Sequence, residues 1–309
     1  MIVTMTLNPA VDKTGIVERL TPGGVNRLLS VRQDPGGKGI NVSKSLRSLG
    51  GESIALGILG GSTGAWIEEA LLRLGIRSDF VKTDALTRTN LKLYDAIVGD
   101  TTDINEPGQP CGEDALLKTK ETLARKLREG DIVVLSGSMP PDAPKSTYAD
   151  WTRLINDMGA KAFVDADGES LRLAIEAVPY AVKPNEHELS RLCGSLLQSI
   201  DELRREGLHL VESGIRLVVV SMGARGALFL SDTDRWYSPG VQVDAKSTVG
   251  AGDAMMAALA YGDHAGLPLY ETAKIAIALS AASVMQTGTQ GADPADVKEL
   301  LQLVHMKRV

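Results

Sequence analysis

The sequence predicts an α/β protein in three layers, α/β/α, with a mostly parallel central sheet and a small β-sheet lid. Three observations carry the prediction. Short aliphatic runs, apolar on both faces, alternate with helix-period patterns, as in parallel sheets covered by helices on both sides. Two stretches, about residues 12–34 and 90–106, break that rhythm with strand-like alternation and Gly or Pro turns. After Gly250 the chain turns helical.

Taken in order, the buried-strand candidates are Ile2–Leu7, Ser53–Leu59, Ile132–Leu135, Ala162–Val164 and Leu217–Val220. Between them lie helical patterns at Ile40–Leu49, Ala65–Leu74, Ala115–Leu127, Thr147–Met158 and Ser170–Ala177. The lid strands are expected at Thr14–Leu20, Asn26–Gln33 and Leu91–Val98. Three closing helices are expected at Asp253–Tyr261, Glu271–Met285 and Pro294–Val304. No linker-like stretch divides the 309 residues, which read as one domain, 1–309, carrying the lid.

Composition narrows the function classes. With 33 basic against 39 acidic residues and a net charge of −6, the chain lacks the basic balance of a nucleic-acid backbone binder. Its 32 glycines follow no Gly-X-Y period and suit turns and close backbone approach to ligands. Two cysteines, Cys111 and Cys193, fit reduced thiols better than a disulfide framework. Met1–Val11 lacks a basic leader region, and the uncharged run Ile275–Ala292 is broken by Ser, Gln, Thr and Gly. A cytoplasmic protein without membrane contact is expected.

Chemistry concentrates in small-residue loops. In Ser247-Thr248-Val249-Gly250-Ala251-Gly252-Asp253, glycines precede a helix start, whose unpaired N–H groups and dipole favour anions. A phosphoryl group on those N–H groups would leave Asp253 placed to take a proton from an attacking hydroxyl; as plain structure, Asp253 would be a helix cap. A second cluster, Pro35-Gly36-Gly37-Lys38-Gly39-Ile40-Asn41-Val42, fits neither the Walker loop nor the dinucleotide fingerprint. Its backbone N–H groups and Lys38 suit a sugar or its phosphate, or simply a turn with a solvated lysine. In Lys183-Pro184-Asn185-Glu186-His187-Glu188, Asn185 and Glu188 have capping-box spacing and could also face a hydrated Mg²⁺. Asp12, Arg88, Ser136-Gly137-Ser138 and Ser221-Met222-Gly223-Ala224-Arg225-Gly226 each lie at a strand end or a lid edge, where open α/β sheets bind ligands.

In this order the clusters resemble the ribokinase/PfkB carbohydrate kinase family over nearly the whole chain. Gly36-Gly37-Lys38-Gly39-Ile40-Asn41 is similar to its first signature and Ser247–Asp253 to its second; Ser247, where Asp is common, marks the hexose-phosphate branch. Thr6–Asp12, Thr87–Lys92, Thr102–Gly108 and Leu135–Ser138 resemble the 1-phosphofructokinases and tagatose-6-phosphate kinases of that branch; Thr102-Asp103-Ile104-Asn105 favours the former.

The resemblance implies a ribokinase-like kinase that uses ATP and Mg²⁺ to phosphorylate fructose 1-phosphate, with tagatose 6-phosphate or fructose 6-phosphate as the alternative substrate. It assigns Asp253 as general base, with Gly250, Ala251 and Gly252 as the anion hole. Asp12 and Asn41 would orient sugar hydroxyls, Gly37 and Ser138 would line the pocket, and Lys38 and Arg88 would hold the existing phosphate. Lys183, Asn185 and Glu188 would serve the nucleotide and metal, and Ser221, Gly223, Ala224 and Gly226 would lie along ATP. A K⁺ ion near the anion hole and a homodimer formed through the lid are further implications. A nicotinamide oxidoreductase is disfavoured by the missing fingerprint, and a non-catalytic sugar-phosphate sensor by the intact Asp253.

Overall fold

Strand β1 (Ile2–Thr6) is buried at every residue and lies inside a ten-stranded sheet, third from one edge. The computed structural model describes residues 1–247 and 249–309; Thr248 of the second glycine motif lies outside the described residues. The body of the chain continues through α1 (Lys38–Ser48), β4 (Ile54–Gly60), α2 (Gly61–Arg73) and β5 (Arg77–Thr83), then α3 (Glu113–Lys126), β8 (Ile132–Ser136), α4 (Thr147–Asp157), β9 (Lys161–Asp165), α5 (Gly168–Glu176) and β10 (Ala181–Val182). It closes with α6 (Glu186–Cys193), α7 (Ile200–Glu212), β11 (Leu217–Ser221), β12 (Ala227–Leu230), β13 (Arg235–Ser238), α8 (Ala251–His264), α9 (Leu269–Val284), α10 (Pro294–Leu301) and β14 (Lys307–Arg308). The lid is made of β2 (Ala10–Val17), β3 (Ser30–Gly36), β6 (Arg88–Asp95) and β7 (Asp100–Ile104).

The large sheet runs β14-β13-β12-β11-β10-β9-β8-β1-β4-β5, parallel from β5 to β11 and antiparallel beyond. Successive residues of one strand serve opposite layers, as the two-residue period of a strand requires. Ile132 and Val134 join the core under α1, α8, α9 and α10, whereas Val133 and Leu135 join the core under α3 to α7. Being buried on both sides is why these strands read as unbroken aliphatic runs. The chain leaves β1 toward β4 and β5, then crosses to β8 on the other flank of β1. That reversal puts the carboxyl ends of β1 and β8 side by side, where such sheets bind ligands. The fold is the three-layer α/β/α arrangement with a small separate sheet that the sequence predicts.

The four lid strands form a separate sheet in the order β3-β2-β6-β7. Strands β2, β3 and β6 begin and end three or four residues away from the three predicted spans, and side chains explain offsets in β3 and β6. Asn26 folds back on Thr21, accepting its N–H at 2.8 Å and donating to its carbonyl at 2.9 Å, so a turn replaces the start of the expected strand. The Asp95 carboxylate accepts the N–H groups of Ile97, Val98 and Leu20 and stops β6 before Val98. Strands β5, β7, β12, β13 and β14 and helix α7 escaped the sequence reading. Strand β5 is half exposed and polar, and α7 is announced only by a Ser199–Glu202 capping box. Among the described residues no helix is long and apolar enough to cross a membrane, and both cysteines are free.

Candidate active site

Every candidate residue picked from the sequence lines one cavity of about 750 Å³ between the carboxyl edge of the large sheet and the lid. Volumes in this range suit a small-molecule site.

Asp253 sits in the first turn of α8, whose N-cap is Gly250 at φ 94°, a left-handed conformation that costs glycine little. The residue is 5% exposed, and Asn41 Nδ2 donates to its Oδ2 at 2.8 Å. Burial raises its carboxyl to about 6, against the opposing pull of Lys38. An acid in that range is ionised at neutral pH yet basic enough to accept a proton. Asn41 comes from α1, which starts at Gly37 (φ 111°). Gly39 in its first turn lies so close to the Met5 carbonyl that a Cβ would not fit. The glycine motif thus presses the helix start against β1 and brings Asn41 to Asp253.

Beside Asp253 stands a buried carboxylate absent from the sequence expectations. Asp165, at the end of β9, is 2% exposed; Lys38 Nζ donates to one of its oxygens at 3.1 Å, and Lys183 Nζ lies 3.2 Å from the other. Burial pushes the Asp165 carboxyl up, but the two ammonium groups outweigh it and hold it below the usual range. The Lys38 ammonium is held above its ordinary value chiefly by Asp165, with Asp253 and Glu188 adding to it. Lys38 therefore stands among the carboxylates around Asp253, while the charged neighbours of Arg88 are Asp12 and Glu106. The turn after β8 is fixed by Tyr148, whose buried hydroxyl donates to the carbonyls of Ser136 and Gly137 at 3.1 Å.

The lid supplies the other wall. The β2 pairing with β6 sets Asp12 opposite Asn90, and Asn90 Nδ2 donates to Asp12 Oδ1 at 3.0 Å. Arg88 Nη1 donates to the Glu106 carbonyl at 2.6 Å and Nη2 to the Asn8 carbonyl at 3.1 Å, and among the described residues its buried Nε has no partner. Asn90, Lys92, Asp103 and Asn105 also line the cavity. Sequence reasoning did not select them, because alternate polar residues of a lid strand read as solvent-facing.

Toward α6, Asn185 and Glu188 form the capping box their spacing predicts: Asn185 Oδ1 accepts the Glu188 N–H at 2.9 Å, and Glu188 Oε2 accepts the Asn185 N–H at 2.8 Å. This does not remove them from the cavity wall. Ser221 ends β11 and pairs with Asn185 through a bridge, and Gly223–Arg225 form a single 3₁₀ turn behind it. Val241, Val243, Met255, Ile277, Ala281 and Val284 add apolar lining to the cavity. Among the described residues no group of three or more His, Cys, Asp or Glu side chains could cage a metal ion.

Comparison with known proteins follows the same outline. The model of the pfkB family carbohydrate kinases matches residues 4–296. A 1-phosphofructokinase of Xanthomonas campestris pv. campestris is 44% identical over 264 residues, covering 84% of this chain and 82% of that protein. Phosphofructokinase-2 of Escherichia coli, solved in complex with substrates and products, superposes with a TM-score of 0.94 at 30% identity and covers 98% of both chains. That enzyme has also been solved with potassium and in a tetrameric inhibited form. Ribokinase of Thermotoga maritima shares the fold at a TM-score of 0.76 and 20% identity, covering 98% of this chain and 99% of its own.

Proposed function

The chain belongs to the pfkB family of carbohydrate kinases, and from that premise we propose the reaction and the role of each side chain. It is a phosphotransferase that uses ATP and a metal ion, and its acceptor is fructose 1-phosphate, which becomes fructose 1,6-bisphosphate. The observation that carries this reading is the buried Asp253 at the glycine-rich start of α8, sharing one cavity with Arg88 and Lys38.

In the reaction the free terminal hydroxyl of the sugar attacks the γ-phosphorus of ATP. The bond to the bridging oxygen breaks, ADP leaves, and the hydroxyl proton passes to Asp253. Asn41 fixes the carboxylate by its 2.8 Å bond. The N–H groups of Gly250, Ala251 and Gly252 face the charge that develops on the transferring phosphoryl group; one such donor contributes about 3–4 kcal/mol in comparable sites. Lys38, expected beside Arg88 at the phosphate the substrate already carries, is instead held with Lys183 by Asp165, and both add positive charge on the side of Asp253. Asp12 accepts from sugar hydroxyls, Gly37 and Ser138 shape the pocket, and Arg88 meets the phosphate that the substrate already carries. Ser221, Gly223, Ala224 and Gly226 run along the nucleotide.

The metal we assign is Mg²⁺. Asn185 and Glu188 fit such an ion through water, since Glu188 Oε2 is occupied in the capping box and Oε1 stays open. Bound there, the ion would neutralise charge on the ATP phosphates. K⁺ as an activating ion, a cytoplasmic location and a homodimer through the lid belong to the same proposal. The dimer is supported by exposed apolar side chains of the lid segments, among them Val25, Leu29, Val31 and Ile104.

The test is ADP release with MgATP and, in turn, fructose 1-phosphate, tagatose 6-phosphate, fructose 6-phosphate and fructose. A kcat/KM at least about tenfold higher for fructose 1-phosphate is the expected result and corresponds to about 1.4 kcal/mol. Preference for another phosphorylated hexose would change the sugar, and no turnover on any of them would overturn the assignment.

A further inference from the structure

Three lysines line the cavity, and they are held differently. Lys38 and Lys183 converge on Asp165 beside Asp253. Lys92 stands apart on the lid. Its side chain is only 6% exposed, and among the described residues its one hydrogen-bond partner is Asp103, at 3.2 Å on a carboxylate that is itself 39% exposed. An ammonium group has three N–H donors, so two are left for a ligand.

Its placement gives that capacity a direction. Arg88, Asn90 and Lys92 alternate along β6 and therefore share the face turned to the cavity, successive members about 7 Å apart. Asn90 lies between the two cations, 9% exposed, with Oδ1 buried and, among the described residues, without a partner while Nδ2 holds Asp12. Arg88 adds its own unpartnered buried Nε. Two cations and two orphaned polar atoms in one row describe a place for a dianion joined to a polyhydroxylated chain. Lys38 is tied to Asp165 on the other side of the cavity, beside Asp253.

We propose that Lys92 is the second cation of the subsite that grips the phosphate already on the substrate. Arg88 is the first, and Asp103 positions Lys92. The inference rests on the sugar-phosphate kinase reading above and moves the distinction between phosphorylated and unphosphorylated sugars onto the β6–β7 hairpin. Asp103 pairs with Lys92 in the strand register and fixes one of its donors. The ammonium thus stays at the cavity edge when no sugar is bound.

The experiment compares Lys92→Met, Lys92→Arg and Asp103→Asn with the unaltered enzyme on fructose 1-phosphate and on fructose, with KM for ATP measured alongside. Loss of a hydrogen bond to a charged group predicts a KM for fructose 1-phosphate raised by about tenfold to a hundredfold in Lys92→Met. KM for ATP stays within about twofold, and the preference for fructose 1-phosphate over fructose shrinks by most of that factor. Lys92→Arg restores most of the loss. Asp103→Asn raises the same KM a few-fold at unchanged kcat, and it carries the test by the same split if Lys92→Met fails to fold.

An unchanged KM for fructose 1-phosphate, or equal losses on the two sugars, overturns the assignment of Lys92 and leaves the kinase reading standing. An unaltered enzyme that prefers a different hexose phosphate, and loses that preference in Lys92→Met, supports the subsite and overturns the choice of sugar.

Discussion

On the body wall of the cavity, Lys38 and Lys183 close on one buried carboxylate, Asp165, whereas on the lid wall Arg88 is held by two carbonyl oxygens and Lys92 by a half-exposed aspartate. Under the proposed roles, the difference separates two tasks. Charge that must be in place when a phosphoryl group moves is fixed in advance by a buried carboxylate, so little reorganisation accompanies the reaction. Charge that must recognise a ligand is left incompletely matched, so that the ligand completes it. The pattern predicts that breaking the Lys38–Asp165–Lys183 cluster reduces turnover and stability, while lid-wall changes reduce sugar affinity.

The largest effect expected is that of Asp253→Asn. Its kcat should fall by about 10²–10⁴, the usual worth of a general base, with KM for ATP within a few-fold. Near-normal ADP release would remove Asp253 from the mechanism. The same variant sharpens the comparison through stability. The raised carboxyl binds more protons folded than unfolded between its ordinary value and about 6, so folding loses stability as pH rises through that window. At neutral pH the neutral amide avoids this cost, and calorimetry should give the Asp253→Asn variant a higher Tm than the unaltered enzyme.

Next is Asp165→Asn, which leaves the buried Lys183 with no carboxylate partner. Breaking a buried pair on one side costs about 3–5 kcal/mol. The variant should melt several degrees lower and lose kcat with ATP and sugar alike. A pure rise in sugar KM would erase the division between the walls.

Arg88→Ala should do the reverse, raising KM for fructose 1-phosphate by about tenfold or more with KM for ATP within about twofold, as expected for a charge-assisted contact. Equal effects on both substrates would move Arg88 out of the sugar site. Smallest near neutrality is the pH effect: kcat should be flat above about 6 and fall about tenfold per unit below it, as Asp253 takes up its proton. The residual activity of Asp253→Asn should lack that limb.

The body of the fold was legible because its strands are apolar on both faces and its helices are not. The lid was legible as an interruption, but its ends were not, since they are set by single side chains such as Asn26 and Asp95 acting on backbone N–H groups. Within the site, the glycine motifs pointed to Asp253 and Asn41 because backbone that must approach closely leaves a compositional mark. Asp165 leaves no such mark. Its partners Lys38 and Lys183 are 127 and 18 positions away, and only the sheet order brings the three together. Lys92 is hidden for another reason: alternation along a strand shows which residues share a face, but not which face turns inward.

The β6–β7 hairpin holds Arg88, Asn90, Lys92 and Asp103 in one uninterrupted stretch of chain, while Asn41, Asp165, Lys183 and Asp253 come from four separate places in the body. In the proposed assignment the grip on the substrate's phosphate is therefore a cassette, and the chemistry is not. One short segment can be exchanged or can drift between descendants and redirect the enzyme to another phosphorylated sugar, while the dispersed catalytic set must be inherited whole.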